Sequence, residues 1–127
     1  MARLFWICLG GAFGTGARYG VATWVQSLTS SAFPYGTLAV NLLGSFLIAL
    51  LVHLTLASDA VSPTLRLALT TGVMGGFTTY STFSHETMQL VLKGAYGLAL
   101  LDILVTVTTC LAACFLGLAL GRWLAGG

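Results

Sequence analysis

Four apolar runs, at about residues 4–27, 37–57, 64–92 and 96–123, take up nearly all of this 127-residue chain. Each reaches the ~20 residues that cross the hydrocarbon core of a bilayer as a helix. A helix satisfies its own backbone in lipid, so the pattern predicts an all-α membrane protein: one four-helix transmembrane domain over residues 1–127. Composition excludes a soluble domain with long core helices, because only 6% of the residues are charged and 57% are hydrophobic, whereas soluble domains carry roughly 25% charged residues. The connections, near Thr29–Tyr35, Ser58–Pro63 and Lys93–Gly94, are short. Consecutive helices therefore run antiparallel, with no soluble domain between them. The first run has the outline of a signal peptide, with Arg3 ahead of an apolar stretch. It outruns the usual h-region, and Arg18-Tyr19-Gly20 makes no small-residue cleavage site, so it is expected to stay in the mature chain.

The third run is interrupted. Gly72, Gly75 and Gly76 are followed by Thr78, Thr79, Tyr80, Ser81, Thr82, Phe83, Ser84, His85 and Glu86, a glycine and hydroxyl cluster inside a membrane-like segment. Glycine weakens a helix, and carbonyls freed at membrane depth have no water to turn to. Irregular backbone survives there only where it is packed in protein or lines a polar path, so the segment reads as a broken third transmembrane helix and as a candidate ion or substrate site. Elsewhere, Gly10/Gly14, Gly16/Gly20, Gly72/Gly76 and Gly117/Gly121 recur at four-residue spacing, which allows helix backbones to approach closely in lipid.

Positive charge normally marks the cytoplasmic loops. With four spans, Arg3, Arg66 and Arg122 fall toward one face and Arg18 and Lys93 toward the other. That bias is too small to choose an orientation, so the chain is expected to insert both ways and to pair as an antiparallel, dual-topology homodimer. Four short helices leave little room for a path through their middle, and a pore therefore requires two copies. The net charge of +2 carries no indication of nucleic acid. Cys8, Cys110 and Cys114 lie in apolar stretches, where cysteine behaves as a small hydrophobe and no disulfide framework is read. Cys110 and Cys114 have no His or carboxylate close in sequence to complete a metal site.

Polar side chains within apolar spans are candidate sites by default. Arg18 sits well inside the first span, where it either snorkels to an interface or forms a cationic vestibule that draws in anions. Asn41, early in the second, has two amide donors for a neighbouring helix or for a dehydrated anion. Tyr80 and Phe83 are three apart and share a helix face. Thr79, Ser81, Thr82 and Ser84 offer hydroxyls either to an ion or to their own helix backbone. Asp102, Thr106 and Cys110 fall at i, i+4 and i+8 on the fourth run, the stripe a polar track needs. Asp102 is placed near the membrane interface.

The run Gly-Gly-Phe-Thr-Thr-Tyr-Ser-Thr-Phe-Ser-His-Glu, residues 75–86, resembles the central motif of the fluoride channel family, the Fluc or CrcB proteins. Gly14-Thr15-Gly16-Ala17-Arg18-Tyr19 and Gly36-Thr37-Leu38-Ala39-Val40-Asn41 are similar to its first and second spans. The resemblance implies a passive fluoride-selective channel that exports the ion from the cytoplasm of a bacterium across its inner membrane. It further implies two pores at the interface of an antiparallel homodimer. The implied anion-pore residues are Asn41, Tyr80, Ser81, Thr82, Phe83, Thr106 and Cys110, with Arg18 in the vestibule. A structural sodium ion at the dimer centre is implied on the backbone carbonyls of Gly75 and Thr78. Where the family places two phenylalanine ring edges in the pore, this chain has Tyr80 and Phe83; Asp102 and Cys110 are also departures in kind.

A small dual-topology, proton-coupled exporter of organic cations is the alternative of similar size. Its mechanism needs a buried carboxylate in the first span, and residues 4–27 contain no Asp or Glu. A structural subunit would need only apolar helices and small residues, and leaves the polar motif unexplained. An enzyme is excluded by the absence of a nucleophile and base pair, of HExxH and of paired carboxylates at helical spacing.

Overall fold

The computed structural model describes residues 1–126 and is all-helical. Helix α1 (Ala2–Ser27), α2 (Tyr35–Leu56) and α6 (Tyr96–Leu124) are long and continuous. The intervening stretch is in pieces: α3 (Pro63–Leu67), a π-helical turn (Ala68–Met74), α4 (Gly75–Phe77) and α5 (Tyr80–Leu92). Helices α2 and α6 are long and apolar enough to cross a membrane.

Local chemistry accounts for the boundaries. Ser62 caps α3 by accepting from Leu65 N at 3.2 Å, with Pro63 at the first helical position, where its missing N–H removes no helical bond. Gln26 clasps the α1–α2 connection, donating to Ser31 O and Phe33 O and accepting from Gly36 N. At the α5–α6 turn Gly94 adopts φ +74°, which side chains disfavour, and Ala95 N closes on Leu90 O at 2.9 Å. Arg66 Nη2 reaches Thr55 O at 2.7 Å, near the end of α2.

The helices pack through small residues. Gly10 and Gly14 of α1 meet Val73 and the backbone around it, while Gly72 and Gly76 meet the α1 backbone at Ile7 and Gly11. A Cβ on Gly14 would collide with Val73 O, and one on Gly76 would lie 2.5 Å from Gly11 O. On the other side, Gly117 meets Phe46 O and Gly121 meets His53 of α2. Gly16 and Gly20 face open space, unlike the other spaced pairs. The core is thin, with Val40, Met74 and Phe77 at its centre. Large apolar side chains such as Phe5, Phe13, Trp24, Leu104, Leu111 and Phe115 are exposed, an arrangement for lipid or for another protein surface.

Candidate functional site

The site is built around the two residues between α4 and α5. Thr78 and Thr79 are extended, with φ/ψ of −84°/157° and −150°/115°. In an unbroken helix the N–H groups of Thr79 and Thr82 would go to the carbonyls four residues back, Gly75 and Thr78. Here Thr79 N donates to Asn41 Oδ1 at 2.7 Å and Thr82 N to Thr79 Oγ1 at 3.1 Å. Gly75 O and Thr78 O consequently receive no helical backbone N–H. A third carbonyl at the break, Gly76 O, accepts from Arg18 Nε at 3.0 Å.

Asn41 mends the break from α2. Its Nδ2 donates to Thr79 O at 2.9 Å while its Oδ1 accepts from Thr79 N, so one side-chain amide replaces both helical partners of a single residue. That is the helix-bridging use weighed for it from sequence. Nδ2 carries a second N–H, which these two bonds leave over. Thr79 in turn caps α5 and donates to Thr82 Oγ1 at 2.9 Å, which leaves the Thr82 proton for another acceptor.

Two grooves flank this point. The smaller, about 340 Å³, is lined by Asn41, Tyr80, Phe83, Thr106 and Cys110 together with Ser45, Thr78 and Thr79. Five of the seven candidate pore residues thus converge on it. Tyr80 and Phe83 do share a face, with ring centroids 5.8 Å apart; Phe83 is 8% exposed and Tyr80 80%. The larger groove, about 950 Å³, is lined by Arg18, Thr82, Glu86, His85 and Lys93. Arg18 spends Nε on Gly76 O and leaves its two amino groups for that groove. Ser81 is exposed and lines neither groove, and Ser84 bonds Tyr80 O of its own helix.

Asp102 is packed inside the protein, about two turns from the start of α6. It is 1% exposed, and its carboxylate accepts from Thr87 Oγ1 at 2.6 Å and Thr106 Oγ1 at 3.2 Å. Its place on α6 opposite α5 buries it, a consequence of packing that position along the helix does not reveal. Sequence reasoning also passed over Thr37, Ser45 and Thr87. Thr37 and Ser45 flank Asn41 at four-residue spacing, so the stripe criterion applied to α6 would have found them on α2 as well. Among the described residues no group of three or more His, Cys, Asp or Glu is placed to hold a metal. The cysteines are free.

Comparison with known proteins places these features in context. The family described as "CrcB-like protein, Camphor Resistance (CrcB)" matches residues 5–118. A protein of Anaeromyxobacter dehalogenans named "Fluoride-specific ion channel FluC" is 53% identical over 126 residues, 99% of this chain and 100% of its own. One of the same name from Sorangium cellulosum is 50% identical over the full length of both chains. Another from Agrobacterium fabrum is 48% identical over 122 residues, 96% of this chain and 98% of its own.

Proposed function

The chain belongs to the CrcB-like family, and from that premise we propose that it is a passive, fluoride-selective anion channel and an integral membrane protein, not an enzyme. Full-length identity to proteins named fluoride-specific ion channels supports the substrate. The observation that carries the mechanism is the small groove on which Asn41, Tyr80, Phe83, Thr106 and Cys110 converge.

Dehydrating a small anion requires donors that replace its water shell. Along this groove the remaining Asn41 N–H, the Cys110 thiol and the positive ring edges of Tyr80 and Phe83 serve that purpose. Ser81 and Thr82 extend the donor path on the α5 side. Arg18, with its amino groups in the larger groove, raises the local anion concentration at the vestibule. A larger anion gains less from the same fixed donors and is excluded by width.

The groove lies open on one face of a single chain, and Tyr80 at its edge is largely exposed. A closed pore therefore needs a second copy. We take the partner to be an antiparallel one, giving a dual-topology homodimer with four spans per chain, the third broken at Thr78 and Thr79. Two pores then lie at the interface, each built from both copies. The balanced positive charge of the loops supports insertion in both directions. The unpartnered carbonyls of Gly75 and Thr78 fit a hard cation that accepts oxygen ligands, and these residues would hold a sodium ion. Its positive charge would offset the carbonyl dipoles that the break exposes. In a bacterial inner membrane such a channel lets fluoride, gathered in the cytoplasm after entry as neutral hydrogen fluoride, leave down its gradient.

Efflux from proteoliposomes loaded with potassium fluoride, read by a fluoride electrode after valinomycin, tests the assignment. Fluoride loss is expected without chloride loss in matched vesicles. Absence of fluoride efflux from folded protein, or equal chloride efflux, would overturn it.

A further inference from the structure

The two helices that wall the small groove differ in what they offer an anion. On α6, Thr106 directs its hydroxyl proton at Asp102 Oδ1, 3.2 Å away. Cys110, one turn further along the same face, carries a thiol, which is a weak donor. Neither puts a strong donor into the groove. On α2, Asn41 keeps one amide N–H beyond its two bonds to Thr79. One turn further along α2, half-buried Ser45 lines the same groove.

A serine or threonine inside a membrane helix commonly returns its proton to the carbonyl four residues back. Thr55 does so on α2, to Leu51 O at 2.7 Å, and Thr87 and Thr109 do so on α5 and α6, to Phe83 O at 2.8 Å and Val105 O at 2.6 Å. Ser45 differs. Among the described residues its hydroxyl bonds no backbone carbonyl, and its hydrogen-bonding neighbour is the Cys110 thiol on α6. A thiol can donate to a hydroxyl oxygen as well as accept from it. The Ser45 proton is therefore free to turn to an acceptor stronger than sulfur.

We propose that Ser45 is a further anion-coordinating residue of the pore, supplying the strong donor at the level of Cys110. With an anion beside the pair, the hydroxyl turns to it and the thiol donates to Ser45 Oγ, which polarises the O–H toward the ion. Cys110 then acts on the ion through Ser45. Asn41 and Ser45 are four residues apart, about 6 Å along the helix axis, so an ion leaving the amide meets the hydroxyl before it must regain its water shell. The proposal rests on the channel reading above and adds a residue to its pore.

The test measures fluoride efflux from proteoliposomes, and the thermal midpoint of the same preparations, for the wild type, Ser45→Ala, Cys110→Ser and the double variant. Ser45→Ala is expected to lower flux by about tenfold or more, the effect of losing one hydrogen bond to an ion, with an unchanged thermal midpoint. Cys110→Ser should conduct at least as well as the wild type. The double variant should recover most of the lost flux, because a hydroxyl again stands at that level of the groove. A merely structural role for Ser45 would not be rescued by a hydroxyl on α6. Should Ser45→Ala fail to assemble, Ser45→Cys, which keeps the side-chain shape and trades a strong donor for a weak one, is expected to show the same loss. Wild-type flux in Ser45→Ala or Ser45→Cys overturns this inference and spares the channel reading. A flux loss matched by a lower thermal midpoint, a non-conducting Cys110→Ser, or a double variant no better than Ser45→Ala does the same. Absence of fluoride flux from the wild type overturns both.

Discussion

At the scale of single residues, the structure gives Asn41 a structural task in addition to the pore role proposed for it. Because its amide bonds both backbone groups of Thr79, Asn41→Asp loses a donor and sets a carboxylate against the Thr79 carbonyl. Leaving such a buried acceptor unpaired costs about 1–3 kcal/mol. Two losses are expected together: suppressed fluoride flux and a lower thermal midpoint, measured on the same preparation. Unchanged stability with flux abolished would mean that the amide serves the ion and not the break. Phe83 offers a cleaner test of the ring edge. Its carbonyl, not its side chain, accepts from Thr87, so Phe83→Ile keeps that bond and a comparable apolar volume. Flux should be abolished while gel filtration still reports the assembled protein; unaltered flux would remove the ring from the pore. Both residues were legible in the sequence, Asn41 as a polar group inside an apolar run and Phe83 as an aromatic group just beyond the glycine cluster. Their partners were not, since each partner lies dozens of positions away or depends on which face of a helix is turned inward.

Among the elements, the contact between α1 and the interrupted segment decides whether the break is held. Gly14 lies where a methyl group would strike the Val73 carbonyl, whereas a methyl on Gly97 of α6 meets nothing within 4 Å. Backbone cannot swing aside as a flexible side chain can. Gly14→Ala is therefore expected to destabilise by at least the ~1–3 kcal/mol typical of overpacking, seen as loss of folded protein in detergent, and Gly97→Ala to be neutral. Equal stability of the two variants would show that the helices can part without cost. The four-residue glycine spacing announced close packing but not its pairing. Gly10/Gly14 and Gly72/Gly76 meet one another's segments and Gly117/Gly121 meet α2, while Gly16/Gly20 face open space in the single chain. Spacing identifies a face of a helix, and only the fold says what covers it.

For the whole molecule, the even distribution of Arg and Lys leads to a prediction about assembly. Asp59→Lys with Ala60→Lys adds positive charge to the exposed α2–α3 connection, favouring the orientation that keeps that loop in the cytoplasm. If the channel is an antiparallel pair, the biased variant should lose most of its flux, and co-expression with an oppositely biased variant should restore it. Loop accessibility to a membrane-impermeant label reports the orientation. Full flux from a uniformly oriented protein would rule out the antiparallel arrangement.

Helical class, apolar exterior and the place of the interruption follow from local properties: runs long enough to cross a bilayer, few charges, and glycine beside hydroxyl residues at 72–86. These depend on neighbours within a few turns, so the sequence by itself determined them. Which carbonyls lose their helical partners, which groove each donor faces, and the burial of Asp102 between Thr87 and Thr106 depend on how α1, α2, α5 and α6 are set against one another. The tertiary structure alone decided these. A hydrogen bond between residues 38 positions apart, such as Asn41 to Thr79, has no local signature, because its geometry exists only after the helices have packed.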